Sequence, residues 1–213
     1  MRIPNHVGVI PDGNRRWAQN NGLSKSEGYK CGIDPGLLLF KLCKKAGVKE
    51  ITYYGFTVDN TKRPKDQIKA FSDACVNSVK LLSKEDVDIR VLGNTKSPMF
   101  PKELLPYTTR KTCGNGGIKV NLLVNYSWKW DLNYLKNSKS KSNNINNQIE
   151  TNDISRIDLI IRWGGRRRLS GFLPVQSIYS DFYVVDDYWP DFKSDHFHEA
   201  LNWYNDQDIT LGG

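Results

Sequence analysis

Val7-Gly8-Val9-Ile10-Pro11-Asp12-Gly13-Asn14-Arg15-Arg16-Trp17-Ala18 joins an apolar run to a turn crowded with polar and charged groups. The apolar run predicts a buried strand that ends at Pro11. The turn at Gly13 then presents one carboxylate, one amide and two guanidiniums. Glycine lets backbone N–H groups approach an anion, and arginine grips phosphate oxygens through a planar fork. A single carboxylate beside such groups suits Mg²⁺, which takes one or two protein carboxylates and completes its shell with water and substrate phosphates. The segment therefore predicts a diphosphate–Mg²⁺ site at the carboxyl end of a first strand, where open α/β sheets bind their ligands. The competing reading is a plain helix start with surface arginines.

Further apolar, β-branched runs at 51–56, 89–92, 118–124, 159–162 and 182–185 predict five more strands. Between them, 36–46 and 65–84 carry apolar residues at helical spacing, with Pro64 suited to the first turn of the second helix. Strands alternating with helices predict an α/β fold built of right-handed βαβ units around a mostly parallel sheet. The 213 residues fit one domain, with the polar Asn/Ser/Lys stretch 137–152 expected to be a mobile surface insertion.

Composition narrows the function. Thirty-one Lys and Arg against 23 Asp and Glu give a net charge of +8, which implies an anionic partner. The arginines gather beside strand ends and glycine turns. Neither the basic helical stripe nor the exposed strand aromatics of a nucleic-acid binder is evident, so no nucleic-acid partner is expected. No run approaches the roughly 18 apolar residues of a membrane span, so membrane contact is expected to be peripheral at most. The N-terminus shows no signal-peptide pattern, and Cys31, Cys43, Cys75 and Cys113 form no Cys-x-x-Cys pair. Both features predict a cytoplasmic protein with reduced thiols. His6, His196 and His198 form no convincing metal cluster, and His196 and His198 are expected on the surface of a C-terminal helix.

Two other segments carry chemistry. The polar loop 57–64 follows the second strand and places Arg63 before a helix N-terminus, where it could hold a phosphate. Arg162-Trp163-Gly164-Gly165-Arg166-Arg167-Arg168-Leu169-Ser170 sets four arginines and a hydroxyl around a glycine turn. Like charges so close repel unless an anion offsets them. Asp181, at a strand start, adds a carboxylate. Two phosphate sites and a metal-capable carboxylate predict an enzyme acting on two diphosphate esters, and no Ser–His–Asp set or Walker loop competes.

These segments resemble the cis-prenyltransferases, typified by undecaprenyl diphosphate synthase. The resemblance runs from His6-Val7-Gly8-Val9-Ile10-Pro11-Asp12-Gly13-Asn14 through Phe56 to Arg63-Pro64, Asp158-Leu159-Ile160-Ile161-Arg162-x-Gly164-Gly165 and Trp189-Pro190-Asp191-Phe192. It implies a six-stranded, mostly parallel sheet, helices around a hydrophobic tunnel, a homodimer, Mg²⁺ and isoprenyl diphosphate substrates. It also implies site roles. Asp12, Asn14 and Arg63 would be catalytic, and Asp12 and Asp181 would hold the metal. Gly13, Arg15, Arg16, Trp17, Lys25 and Tyr29 would attend the allylic diphosphate; Arg162, Arg168 and Ser170 would hold the second.

The sequence departs from the family pattern at Lys25 (usually Arg), Tyr29 (usually His), Thr61 (usually Trp), Trp163 (usually Thr), Arg166-Arg167 and Asp181 (usually Glu). Leu173-Pro174 is similar to a feature of lavandulyl-type branching relatives. The expected activity is therefore Mg²⁺-dependent condensation of an allylic diphosphate with isopentenyl or a second allylic diphosphate, giving a short or atypical isoprenoid. Terpene-synthase-like cyclisation of one prenyl diphosphate, or a non-catalytic partner subunit, is the alternative.

Overall fold

The computed structural model describes residues 1–133 and 148–208. In chain order the elements are β1 (His6–Ile10), α1 (Asn14–Asn20), α2 (Glu27–Cys31), α3 (Ile33–Ala46), β2 (Glu50–Tyr54), α4 (Lys65–Leu82), β3 (Val87–Leu92), β4 (Lys111–Cys113), β5 (Ile118–Leu123), α5 (Trp128–Asp131), β6 (Leu159–Arg162), β7 (Asp181–Val184) and α6 (Ser194–Asn205). Short 3₁₀ turns occupy Val58–Lys62, Lys102–Tyr107 and Trp189–Asp191.

The strands form a seven-stranded sheet in the order β4-β3-β5-β2-β1-β6-β7. All neighbours are parallel except β3 and β4, which run antiparallel. The six strands expected from sequence are present, and β4 makes a seventh. It has three residues, two of them exposed, too few to show an alternating pattern. The order places β2 on one side of β1 and β6 on the other, so β1 and β6 meet where the winding of the sheet reverses. Ligands of open α/β sheets bind beyond the carboxyl ends of strands at such a point.

Alternation along the strands builds two layers. Val7, Val9, Ile51, Val120, Leu159 and Ile161 face α3, α4 and α6 in the main core, with Leu39, Phe40, Val79 and Phe197 packed on them. The opposite face carries a second apolar cluster around Ile10, Leu123, Tyr126, Ile160 and Phe172. Ile149 and Thr151 are buried, so the last residues of the 137–152 stretch pack into the structure; 137–147 lie outside the described residues. Among the described residues, no helix is long and apolar enough to cross a membrane.

At the amino ends of the strands the second face turns polar. His6 Nε2 accepts from the Thr52 hydroxyl at 2.8 Å, while Nδ1 meets the Ser155 carbonyl at 3.0 Å. Asn121 Nδ2 donates to Glu50 at 2.6 Å and to Thr52 at 2.9 Å, and Ser155 Oγ donates to Glu50 at 2.7 Å. Buried polar groups tolerate burial when hydrogen-bonded in this way. Burial holds the His6 pKa below its ordinary value, against Glu50, the Ser155 carbonyl and Asp158. Below about pH 6.5 an unfolded His6 takes up a proton that the folded chain refuses, so stability is lost as pH falls from there toward the lower folded value. Urea unfolding of the wild type should show this loss between about pH 6.5 and 5. In His6→Gln the loss over that interval should be smaller.

Candidate active site

The Asp12 turn sits where β1 ends. Gly13 holds φ +106°, and a Cβ there would lie 2.7 Å from the Tyr188 ring, so both conformation and space demand glycine. The Asp12 carbonyl accepts from Trp189 N–H at 3.0 Å, which fixes the turn against the segment after β7. The Asp12 carboxylate is held at both oxygens. Oδ1 accepts from Gly13 N–H at 2.6 Å, with Arg16 at 3.5 Å, and Oδ2 accepts from Arg162 Nη2 at 2.8 Å.

Arg162 ends β6 opposite Ile10 and is 3% exposed. Its Nη1 donates to the Arg168 carbonyl and, at 3.1 Å, to Ser170 Oγ. One guanidinium therefore ties the Asp12 turn to the arginine-rich turn. Ser170 holds φ +54°, a region non-glycine residues seldom occupy, and its carbonyl accepts from Tyr54 Oη at 2.8 Å. Gly164, at φ +84°, leaves room for Arg16, whose Nη2 donates to the Gly164 carbonyl at 3.0 Å and whose guanidinium lies 4.9 Å from the Tyr188 ring.

The third contributor is the loop before α4. Arg63 Nη1 donates to Tyr29 Oη at 2.8 Å, and the Tyr29 ring stacks on Phe71 at 4.6 Å and 6°. Burial raises the Tyr29 pKa above its usual value, with Arg63 and Arg15 opposing, so the phenol is neutral. Burial chiefly lowers the Arg63 pKa, Tyr29 opposing and Arg15 adding to the effect.

These elements enclose one basin of about 560 Å³. Asp12, Gly13, Asn14, Arg15, Arg16, Lys25, Tyr29, Arg63, Arg162, Arg168 and Ser170 all line it, so the two phosphate sites expected from sequence form a single space. Tyr54, Thr57, Asn60 and Arg166 line it too, and the sequence reading assigned them no role there. Tyr54 had a local signal, since it closes β2 at the same carboxyl edge. Seven cationic side chains face two carboxylates, Asp12 and Asp59. Such a surplus suits polyphosphate ligands.

Two expected members lie elsewhere. Trp17 does not line the basin; its Nε1 donates to Asp191 at 2.7 Å. Asp181 pairs with Leu159 at the amino end of β7, and its carboxylate lies 3.7 Å from Arg2. Asp12 follows the carboxyl end of β1, so within one chain these two carboxylates stand at opposite ends of the sheet and do not share an ion. His196 differs from its expected surface position. It is buried, with Nε2 3.0 Å from Asp187 Oδ2 and Nδ1 accepting from Trp163 Nε1 at 3.3 Å. His198 is exposed, as expected.

An apolar recess of about 80 Å³ adjoins the basin, lined by Gly36, Leu37, Ala74, Cys75, Leu82 and Leu122 among others. It stands in place of the extended tunnel that the resemblance implied.

The family model described as "Putative undecaprenyl diphosphate synthase" matches residues 10–212. An isoprenyl transferase of Clostridium tetani is 34% identical, covering 99% of this chain and 90% of its own length. The (2E,6E)-farnesyl-diphosphate-specific ditrans,polycis-undecaprenyl-diphosphate synthase of Vibrio parahaemolyticus is 29% identical over 99% of this chain and 91% of its own. A crystal structure of lavandulyl diphosphate synthase from Lavandula x intermedia, in complex with dimethylallyl diphosphate, shares the fold. Its TM-score is 0.86 at 22% identity, covering 99% of this chain and 98% of that one.

The Arg162 geometry carries a test. A lysine offers one point of charge where the planar fork reaches Asp12, Arg168 and Ser170 together. Arg162→Lys should weaken inorganic pyrophosphate binding by about 10- to 150-fold in calorimetry, the equivalent of roughly 1.5–3 kcal/mol for a charge-assisted contact.

Proposed function

Since this chain belongs to the cis-prenyltransferase family and is an enzyme of that transferase type, we propose that it condenses a short allylic diphosphate with a second isoprenyl diphosphate in the single basin at the β1–β6 edge. The observation that carries the reading is the joining of the Arg63 and Arg162 arms around one cationic space that opens onto a small apolar recess. Two diphosphates can lie side by side in the basin, and the recess takes an apolar tail. The Lavandula relative binds dimethylallyl diphosphate, a five-carbon donor of this kind.

In the reaction the allylic C1–O bond breaks and the diphosphate leaves with the electron pair. The double bond of the second substrate supplies the pair for the new C–C bond, and a proton then leaves a carbon next to the resulting cation, restoring an alkene. A diphosphate oxygen is the base available in the basin. Arg15, Arg16 and Arg63 stand where negative charge grows on the departing group, and preorganised cations stabilise such charge without moving. The apolar walls of the recess keep water from the cation.

Mg²⁺ fits one donor here. Among the described residues no group of three metal-ligating side chains occurs, and both Asp12 oxygens already accept hydrogen bonds. Asp12 would hold the ion as a single carboxylate, with diphosphate oxygens and water completing the shell. When bound, the ion neutralises diphosphate charge and makes it a better leaving group. The enzyme works as a homodimer in this proposal; exposed Trp128, Ile178 and Tyr179, at 45%, 66% and 52%, are available to an interface.

Incubating the purified protein with dimethylallyl, geranyl or farnesyl diphosphate, with and without isopentenyl diphosphate, tests the reading by mass spectrometry. A short product supports it. A long polyprenyl ladder contradicts the short-donor reading, and product from one prenyl diphosphate alone points to cyclisation or self-condensation. Asp12→Asn should lose roughly 100-fold or more in kcat while retaining the wild-type unfolding midpoint within a few degrees. Mg²⁺ alone should bind the free enzyme weakly in calorimetry and bind clearly once pyrophosphate is present. Tight binding without pyrophosphate would contradict the single-carboxylate site.

A further inference from the structure

Five residues line both the basin and the apolar recess, and so stand at their boundary: Pro11, Asn14, Gly55, Tyr29 and Phe71. The first three belong to segments that follow β1 and β2. Tyr29 on α2 and Phe71 on α4 supply the helical side of the boundary. Their rings are nearly parallel, 4.6 Å between centroids, an arrangement that makes one flat partition of two side chains.

The partition is braced. Phe71 meets the fully buried Phe56 edge-on at 5.4 Å and 90°. Tyr29 is 4% exposed, and its hydroxyl accepts from Arg63, whose guanidinium lies 5.8 Å from the Phe71 ring. Neither ring can swing aside without breaking one of these contacts. Arg63 is thereby held on the basin side while the ring faces bound the recess.

Behind the partition the recess measures about 80 Å³. An apolar cavity of roughly 150 Å³ takes up one benzene ring. The recess therefore admits about one branched five-carbon unit. Opening the partition on the Phe71 side would join it to the space along Ala74, Cys75 and Ser78 of α4.

We propose that Tyr29 and Phe71 determine donor specificity: their stacked rings restrict the allylic substrate to a five-carbon chain, and the Tyr29 hydroxyl positions Arg63 for the diphosphate. This rests on the prenyl-transfer reading above and adds the residues that set chain length. The roles separate cleanly. The ring pair sets size, so removing a ring changes the preference among donors. The hydroxyl sets Arg63, so removing it alone weakens all donors alike.

Binding of unreactive thiolodiphosphate analogues with five-, ten- and fifteen-carbon chains, measured by calorimetry on the full chain, tests this apart from turnover. The wild type should bind the five-carbon analogue at least tenfold more tightly than the fifteen-carbon one. Phe71→Ala should reduce that ratio at least tenfold, and Phe71→Leu, which keeps more core volume, should reduce it in the same direction. Tyr29→Phe should weaken all three analogues by a common factor and leave the ratio intact. Equal wild-type affinities, or a ratio unchanged in both Phe71 variants, would overturn the proposal, as would a ratio shifted by Tyr29→Phe. A wild type with the expected binding order that yields no product with any donor would instead refute the prenyl-transfer reading and leave the partition standing.

Discussion

The structure depends on a buried guanidinium finding its counter-charge across two strands. Arg162 is almost wholly excluded from solvent, and an unpaired buried cation is strongly destabilising. Its strand neighbour is β1, in parallel register with Ile10 opposite Arg162. The carboxylate that answers it must come from just beyond Ile10, and Asp12 meets it at 2.8 Å. That contact fixes the relation of two turns that are 150 residues apart in sequence. Arg16, reaching from α1 to the Gly164 carbonyl, closes the same seam a second time. The sheet order reverses at this seam, so the pair also marks the only edge where loops from both directions converge on one space.

What was legible in the sequence follows the reach of local signals. The Asp12 turn and the Arg162 turn each declare themselves, because an apolar run gives way to glycine and clustered charge within a few residues. That they share one basin is a property of the β1–β6 pairing, which no short window of sequence contains. Asp181 shows the limit most clearly. It was read as a strand start, which is correct, but in a parallel sheet the starts lie at the end opposite the site. Its distance from Asp12 thus follows from the topology already expected. His196 and His198 are two positions apart on a helix, about 200° around the axis, so they face opposite ways. The alternation that made them look alike already predicted that only one could be exposed. Trp17 follows the same logic: it shares the motif but leaves the basin for Asp191.

Charge and size divide the site between different parts of the fold. Cations gather at loops, where they remain hydrated until an anion arrives and cost the fold little. Apolar walls come from α3 and α4, whose side chains also serve the main core. The boundary between the two media needs groups that belong to both, and aromatic residues with a polar handle suit it. Tyr29 presents a ring to Phe71 and a neutral hydroxyl to Arg63. At this position the family resemblance implies a histidine, which could carry a proton near neutral pH. Beside Arg63 and Arg15 a second positive group would be repelled, whereas a buried phenol, with its pKa pushed upward, holds the same hydrogen bond without changing charge.

Asp12 serves two masters, and this couples the ligands of the basin. In the empty site its carboxylate neutralises Arg162 and steadies Arg16. A diphosphate bound beside these guanidiniums supplies the negative charge they lack, and so relaxes their hold on Asp12. The carboxylate then has more of its charge to offer a dication, while the dication offsets repulsion among the phosphate oxygens. Each ligand thus raises the affinity for the other, and by linkage the two effects are equal in free energy. A site of this kind needs no preformed cluster of acids. A single carboxylate suffices, provided that its resting partners are cations that the substrate can claim.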